Sequence, residues 1–265
     1  MDINSKTIWI TGASSGIGEA VAMHYAALGH TIILSARRQI ELERVADACQ
    51  SLGGKCYILP LDLTDLKHPE TLVQEALAFT GKIDVLVNNG GITQRSLAAE
   101  TSTEVVRKIM EVNFFGQVAL SSALVPHFIK AGGGQFAVLS SLTGIFGYGL
   151  RSTYAASKHA LHGYFESLAI ENFKHNIHVT MVCPGRILTN ISINAVNGDG
   201  TNYGKLDEGQ KNGVDAVTCA KKIVRAIDRK KREVLIGKMD LLMVYFKRYV
   251  PSLFFKIVVR LDPTK

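Results

Sequence analysis

Short apolar runs alternate with longer segments of helical periodicity along the first two-thirds of the chain. The runs are rich in β-branched residues, as expected for strands covered on both faces, and they lie at residues 7–11, 31–35, 55–59, 83–87, 136–140, 178–182 and 233–236. Helices are predicted between them, among others at residues 18–28, 41–52, 69–80, 103–129 and 216–229. This alternation predicts a parallel sheet with right-handed crossovers, a doubly wound α/β fold of about seven strands.

We expect one Rossmann-type domain over residues 1–238, followed by an apolar and basic C-terminal tail at residues 239–265. Neither an internal repeat nor a Pro/Gly/Ser-rich linker divides the domain. Residues 185–214 are polar and contain several glycines. This composition suits a mobile loop after the carboxyl end of a strand, where sheets of this kind bind ligands, and we call the segment the substrate loop.

Composition narrows the class of protein. The four cysteines are widely separated and lack metal-ligand spacing, so we predict no metal site and free thiols in a reducing, cytoplasmic compartment. The first strand begins near residue 6, which predicts no signal peptide or N-terminal anchor. The net charge of +7 raises nucleic acid or an anionic membrane as partners. Because no nucleic-acid motif is present, we interpret the charge as a basic surface with a pocket for an anionic cofactor, and we predict no nucleic-acid partner.

A glycine-rich turn, TGASSGIG at residues 11–18, follows the first predicted strand and opens the first helix. Gly12, Gly16 and Gly18 allow a tight turn and close approach of the backbone to a ligand. The free N–H groups of a helix N-terminus bind a pyrophosphate. An ordinary glycine-rich turn is the alternative, but the strand–turn–helix setting favours a dinucleotide site.

The residues at the end of the second strand indicate whether the cofactor is NAD or NADP. An acidic residue there binds the ribose 2′-hydroxyl, whereas an arginine suits a 2′-phosphate. The sequence reads LSARR at residues 34–38, without a carboxylate at the turn. Arg37 is the better placed partner and Arg38 the second, so we predict NADP(H). The alternative is that both arginines are solvated surface cations.

Tyr154 and Lys158 stand four residues apart and share one face of a predicted helix. A tyrosine has an ordinary pKa of about 10, and a neighbouring ammonium lowers it towards the working range. A surface aromatic beside a cation would give the same pattern. The pair therefore needs support from other residues.

That support comes from a family resemblance. Together with the glycine spacing, the pair makes the chain resemble the short-chain dehydrogenase/reductase family over residues 6–189. The resemblance implies that Ser141, thirteen residues before Tyr154, orients the substrate, with Ser140 as the adjacent alternative. It also implies that Asn113 helps hold a water in the proton relay. The implied catalytic set is Asn113, Ser141, Tyr154 and Lys158, in which Tyr154 donates the proton and Lys158 holds the nicotinamide ribose.

The resemblance also implies a set of cofactor contacts. NNGG at residues 88–91 matches the family's NNAG, with Gly90 in place of the usual alanine. Asp62 matches the residue beside the adenine, and Pro184, Gly185 and Thr189 match the nicotinamide side. The complete implied set is Gly12, Ser14, Ser15, Gly16, Ile17, Gly18, Arg37, Arg38, Asp62, Leu63, Asn89, Gly90, Gly91, Tyr154, Lys158, Pro184, Gly185, Ile187 and Thr189.

The substrate loop and the tail bear on the substrate. The apolar loop residues predict a pocket wall for a bulky carbonyl compound such as a lipid or steroid, or else they pack the loop down: Leu188, Ile191, Ile193, Ala195 and Val196. The tail mixes aromatic residues with cations around Pro251, and its apolar runs fall short of the roughly 20 residues that span a bilayer. It is interpreted as an interfacial membrane segment, or as one buried against a partner subunit or over the active site.

The loop and tail together resemble the membrane-associated dehydrogenase/reductases, a branch near the 11β-hydroxysteroid dehydrogenases. The family resemblance implies a homodimer or homotetramer, here in the cytoplasm or at a membrane surface. The expected function is NADP(H)-dependent interconversion of a small-molecule carbonyl and its alcohol. An NAD-linked alcohol or polyol dehydrogenase and a non-catalytic NADP(H)-binding sensor or scaffold stay open as alternatives.

Overall fold

The computed structural model describes residues 5–264, and a parallel seven-stranded sheet forms its frame. The strands in chain order are β1 (Thr7–Thr11), β2 (Thr31–Ser35), β3 (Lys55–Ile58), β4 (Val85–Asn88), β5 (Gly134–Leu139), β6 (Ile177–Pro184), β7 (Ile187–Leu188), β8 (Val214–Asp215) and β9 (Glu233–Ile236). The large sheet has the order β3-β2-β1-β4-β5-β6-β9, while β7 and β8 pair separately. This arrangement confirms the predicted doubly wound α/β fold.

Helices connect the strands and cover both faces of the sheet. They are α1 (Gly16–Ala27), α2 (Gln39–Ser51), α3 (Pro69–Thr80), α4 (Thr103–Met110), α5 (Gly116–Lys130), α6 (Ser152–Glu171), α7 (Glu208–Lys211), α8 (Ala216–Asp228), α9 (Leu242–Tyr249) and α10 (Pro251–Val258). Successive strand residues point to opposite faces, so Ile8 packs into the core beneath α1, α2 and α8, whereas Trp9 packs into the core beneath α3, α5 and α6. Both layers are apolar because both faces of the strands are covered.

The predicted helix at residues 103–129 is interrupted by a turn that carries one of the predicted catalytic residues. A π-helical turn, Glu111–Phe115, separates α4 from α5 and contains Asn113. Turns of this kind occur often at functional sites. The continuous stretch Thr103–Lys130 is long and apolar enough to cross a membrane. Nearly half of its most apolar part is buried inside the protein, however, and a buried core helix can have the same length and composition.

The substrate loop has more structure than its composition predicts. It contains β7, α7 and the start of β8, and isolated bridges join Val196 to Gln94 and to Asn202. Ala195 and Val196 are buried, so these two residues pack the loop down. Ile191 instead lines the cleft beside the glycine-rich turn. The packing alternative therefore holds for Ala195 and Val196, and the substrate-pocket wall stays a prediction.

The tail is folded against the segment that follows Ser141. Pro251 opens α10, and Phe254 is buried against Phe146, with their ring centroids 5.3 Å apart. The opposite face of α9 and α10 exposes aromatic residues, including Tyr245, Tyr249 and Phe255. One face of the tail is thus covered within the chain, and the other faces outwards.

Candidate active site

The glycine-rich turn forms a cradle at the carboxyl edge of β1. Gly12 has a φ of +64°, and a Cβ built there would lie 2.7 Å from the Cα of Gly90. A Cβ on Gly18 would collide with the carbonyl oxygen of Gly12. Ser15 precedes α1 without a side-chain hydrogen bond to its first turn. The residues therefore fit a pyrophosphate, because the backbone is bare and the helix N–H groups lack a side-chain cap.

A cleft of about 490 Å³ extends from this cradle along the ends of β2 and β4. Thirteen of the predicted cofactor residues line it: Gly12, Ser14, Ser15, Gly16, Ile17, Arg37, Arg38, Asp62, Leu63, Asn89, Gly90, Gly91 and Thr189. Lys108, Asn190, Asn194 and Asn202 also line it, and no sequence motif had indicated them. The side chain of Ile187 is buried in the core instead, so it does not line the cleft.

The two arginines after β2 differ in their surroundings. Arg38 donates a hydrogen bond from Nη2 to the Oγ of Ser14 at 3.3 Å. Arg37 is exposed at the rim of the cleft. Arg44 also reaches this region and donates to the carbonyl of Ser14 at 3.4 Å, but Glu19 and Glu41 already pair with its guanidinium. Both Arg37 and Arg38 line this end of the cleft, and the contact of Arg37 with a 2′-phosphate stays a prediction.

The NNGG segment ties β4 to the cradle. Asn89 Nδ2 donates to the carbonyls of Thr11 and Gly12, each at 3.0 Å. A Cβ on Gly90 would stand 2.5 Å from Cδ1 of Leu63. Leu63 Cδ1 thus occupies the space that the methyl group of the family's alanine would take, and an alanine here would require the leucine side chain to move.

The four predicted catalytic residues converge at the carboxyl edge of the sheet. Ser141 follows β5, and Tyr154 and Lys158 lie one turn apart on α6. Ser141 Oγ accepts hydrogen bonds from Thr143 N at 3.2 Å and Thr143 Oγ1 at 3.0 Å, which fixes its position. The Ser141 hydroxyl is near enough to the Tyr154 side chain to favour its phenolate. Both groups that would bind a carbonyl oxygen thus lie together.

Lys158 lies behind the tyrosine and is buried. Its Nζ donates to the carbonyl of Leu139 and lies 5.7 Å from the ring centroid of Tyr154. A Cβ on Gly91 would be 3.6 Å from this Nζ, so the ammonium lies next to a glycine that lines the cleft. Burial lowers the pKa of Lys158 to about 8.

The expected lowering of the Tyr154 pKa by Lys158 is not what the structure gives. Burial raises the pKa of Tyr154 above its ordinary value, since desolvation disfavours the phenolate. The hydrogen bond with Ser141 opposes this shift, followed by the positive charges of Arg95 and Arg151. The cations that support the phenolate are therefore two arginines that the sequence motifs did not indicate.

Asn113 is fully buried and braces the site from below. Its Oδ1 accepts from Ile92 N at 2.8 Å, while Nδ2 donates to Ile92 O at 2.9 Å and to Ser157 Oγ at 3.0 Å. Ser157 in turn donates to the carbonyl of Tyr154 at 2.8 Å. The side chain thus links the segment that follows β4 to the catalytic helix, and its role in a water relay stays a prediction.

Two further positioning residues have no sequence signal. Gln94 is fully buried, and its Oε1 accepts from the backbone N–H groups of Thr153 and Tyr154 at 3.0 and 3.2 Å. Asp240 accepts from Arg186 N at 3.1 Å, and a Cβ on Gly185 would collide with the same carboxylate. Gln94 therefore caps α6 at the tyrosine, and Asp240 holds the start of the substrate loop.

A doubly wound sheet with a glycine cradle and a Ser–Tyr–Lys set at its carboxyl edge defines an oxidoreductase of the dinucleotide-binding class. A sequence profile described as "short chain dehydrogenase" matches residues 6–199. The chain therefore belongs to the short-chain dehydrogenase/reductase family, as its motifs predicted, and such folds bind a nicotinamide cofactor.

Similar curated proteins agree with the predicted branch. The chain is 40% identical over 260 residues to "Dehydrogenase/reductase SDR family protein 7-like" of Drosophila melanogaster, covering 96% of this chain and 80% of that one. It is 36% identical over 266 residues to "Dehydrogenase/reductase SDR family member 7B" of Xenopus laevis, covering 97% and 81%. It is 37% identical to "Dehydrogenase/reductase SDR family member 7" of Homo sapiens, covering 95% of this chain and 76% of that one.

Solved structures share the fold. A short-chain dehydrogenase from Streptomyces avermitilis has a TM-score of 0.83 at 29% identity, covering 99% of this chain and 100% of that one. An alcohol dehydrogenase from Thermococcus sibiricus, complexed with 5-hydroxy-NADP, has a TM-score of 0.75 at 25% identity with coverage of 88% and 97%. A short-chain dehydrogenase/reductase from Burkholderia phymatum, in complex with NAD, has a TM-score of 0.82 at 21% identity, covering 100% of this chain and 98% of that one. At this identity the similarity shows the fold alone. The neighbours thus include both cofactor types.

Proposed function

We propose that the chain is an NADP(H)-dependent oxidoreductase that interconverts a carbonyl and an alcohol, acting as a reductase of a bulky apolar ketone. The observation that carries this proposal is the convergence of Ser141, Tyr154 and Lys158 at the edge of the sheet that holds the glycine cradle, with Asn113 hydrogen-bonded to the same helix. All four groups of the family's proton-transfer set are present. This argues against a non-catalytic sensor, which would lack one or more of them.

The residues divide the chemistry between them. When bound, the nicotinamide supplies or removes the hydride. Tyr154 donates a proton to the carbonyl oxygen in reduction and takes it back in oxidation, while Ser141 holds that oxygen by a hydrogen bond. Lys158, whose ammonium lies next to Gly91 of the cleft, would bind the ribose hydroxyls, and Asn113 would connect the proton path to solvent.

NADP(H) is favoured over NAD(H) by charge at the adenosine end. Arg37 is exposed at the cleft rim, and the turn after β2 carries no carboxylate that would repel a 2′-phosphate. We expect kcat/KM for NADPH to exceed that for NADH, and an Arg37→Ala variant to lose most of this preference. A wild-type preference for NADH would overturn the assignment and favour an NAD-linked alcohol or polyol dehydrogenase.

An apolar substrate is supported by the surfaces near Ser141. Ile191 of the substrate loop lines the cleft, and Phe146 and Phe254 form a small apolar core in the segment that follows the serine. NADPH oxidation with a panel of ketosteroids, lipid ketones, quinones and dihydroxyacetone phosphate esters tests this. Turnover of only small polar carbonyls would contradict the apolar class.

The outward face of α9 and α10 supports contact with an anionic membrane surface. It combines exposed Tyr245, Tyr249 and Phe255 with the exposed cations Arg248 and Lys256. We expect co-sedimentation with vesicles that contain phosphatidylserine, lost in an Arg248→Glu/Lys256→Glu variant. Equal binding of both proteins, or none by the wild type, would count against this contact and against a place on the cytoplasmic membrane surface.

The family's oligomers support a homodimer or homotetramer. Ile170 and Phe173, at the C-terminal end of α6, are large apolar side chains that stay exposed in the single chain. Light scattering at micromolar concentration tests this proposal, and a mass of one chain would contradict it.

A further inference from the structure

A buried ion cluster lies beside the catalytic tyrosine. Oδ2 of Asp207 accepts from Arg95 at 3.0 Å (Nε) and 2.6 Å (Nη2), and from Arg151 Nη2 at 3.0 Å. The side chains of Arg95, Asp207 and Arg151 are only 3%, 3% and 13% exposed. One carboxylate thus serves two guanidiniums, and the cluster carries one uncompensated positive charge.

Burial of such a cluster is costly, because taking charges out of water often outweighs their mutual attraction. Well-packed apolar residues in place of these three side chains would stabilise the fold equally well. In a site of low dielectric, however, a positive charge acts on its neighbours far more strongly than it would at the surface. The cluster is therefore better suited to electrostatics than to holding the fold together.

The cluster joins three segments at the tyrosine. Arg151 immediately precedes α6, three residues before Tyr154. Arg95 follows Gln94, whose side chain caps the backbone N–H of Tyr154. Asp207 belongs to the substrate loop, where its own N–H bonds to Ser192 Oγ at 3.1 Å. The position of the loop thus fixes the carboxylate that balances the two arginines.

We propose that Arg95 and Arg151 are positioning residues that stabilise the phenolate of Tyr154. Asp207 then determines how strongly their positive charges act on that phenolate. This inference rests on the proposed function, because it assigns the electrostatics of the same proton-transfer step. It gives the substrate loop a direct effect on catalysis, since the loop supplies the counter-charge.

The other groups facing Tyr154 leave room for this role. They are Ser141, which is neutral, and Lys158, whose Nζ bonds to the carbonyl of Leu139. Burial lowers the pKa of Lys158 to about 8 and that of Arg151 to about 10. The positive charges of Arg95 and Arg151 are the ones that oppose the rise in the Tyr154 pKa.

The test is the pH profile of alcohol oxidation with NADP⁺, because Tyr154 must be ionised to accept the proton. Arg151→Gln removes a positive charge and should move the profile's midpoint up by about one pH unit. Asp207→Asn removes the counter-charge and should move it down. Arg151→Lys keeps the charge and should keep the midpoint near that of the wild type. Unmoved midpoints, or equal shifts of Arg151→Gln and Asp207→Asn in one direction, would overturn the proposal.

A spectroscopic titration separates this inference from the proposed function. The phenolate absorbance of each variant, minus that of its Tyr154→Phe counterpart, reports the ionisation of Tyr154 without turnover. Opposite shifts in an enzyme inactive on every carbonyl would retain the inference and reject the proposed function. Melting curves verify folding, and if Asp207→Asn does not fold, Arg151→Gln against Arg151→Lys decides the outcome alone.

Discussion

Gly90 shows how one absent Cβ sets the packing under the cofactor cleft. Leu63 Cδ1 occupies the place where an alanine methyl would lie, at 2.5 Å from the built Cβ position. Insertion of a methyl group into a filled space forces neighbours to shift. At the scale of residues, Gly90 and Leu63 therefore form one packing unit.

A Gly90→Ala variant should lose no more than about 1 kcal/mol of unfolding free energy, because the Leu63 Cδ1 that a Cβ would meet is the end of a flexible side chain and can move aside. Adding Leu63→Val removes Cδ1 and should recover part of the loss. Urea unfolding measures both effects. Gly147→Ala is the matched control, since a Cβ there meets no atom within 4 Å. An equal cost at both glycines would show that Leu63 is not the cause.

The residues that the sequence predicted are those that local motifs mark. Local patterns marked the glycine cradle, Arg37 and the pair of Tyr154 and Lys158, but the pair needed the family resemblance, which also implied Ser141 and Asn113. Arg95 and Asp207 could not, because they are 112 positions apart in the chain and each resembles a surface charge. Long-range pairs of this kind carry no local pattern.

At the scale of elements, Asp240 joins the tail to the edge of the sheet. Its carboxylate accepts from the backbone N–H groups of Arg186 and Lys238, at 3.1 and 2.6 Å. It therefore links the start of the substrate loop to the turn before α9. The composition of the tail predicted an apolar segment, but not this polar attachment, because a single aspartate gives no periodic signal.

Asp240→Ala should reduce the unfolding free energy by about 1–3 kcal/mol, the range for hydrogen bonds to a charged group. Limited proteolysis should also cut the substrate loop or the tail sooner. Asp47→Ala, at an exposed position on α2, serves as the control. Gly185→Ala should cost less in the Asp240→Ala background than in the wild type, because the colliding carboxylate is gone. Additive costs would refute the contact.

Strand and helix order was predictable because continuous apolar runs mark strands covered on both faces. The division of the predicted helix at residues 103–129 into two helices could not be predicted from the sequence. A π-helical turn at Glu111–Phe115 adds a residue to one turn without breaking the apolar pattern. Tertiary contacts decide it, above all the three hydrogen bonds of the Asn113 side chain.

At the scale of the whole molecule, stability should depend on buried histidines. Burial lowers the pKa of His162, whose Nε2 lies 2.9 Å from Ser140 Oγ beside the catalytic helix. The fold therefore favours the neutral ring. Its contribution is complete above the ordinary histidine pKa of about 6.5 and is lost as the pH falls through the lowered value.

The melting temperature should accordingly fall on acidification from about pH 7.5 to about pH 5. A His162→Gln variant should show a flatter dependence, because it cannot take up a proton at this position. Exposed His68 provides the control, as His68→Gln should keep the wild-type slope. A His162→Gln profile parallel to that of the wild type would show that the ring does not couple protonation to folding.

The central claim is that Tyr154 transfers the proton while NADP(H) carries the hydride, and replacing the tyrosine by phenylalanine tests it most directly. Removal of one hydroxyl leaves the glycine cradle and Lys158 in place, so the dissociation constant for NADPH, followed by its fluorescence, should stay unchanged. With a carbonyl substrate from the panel, kcat should fall by about 10²- to 10⁴-fold. Wild-type turnover by the Tyr154→Phe enzyme would contradict the account.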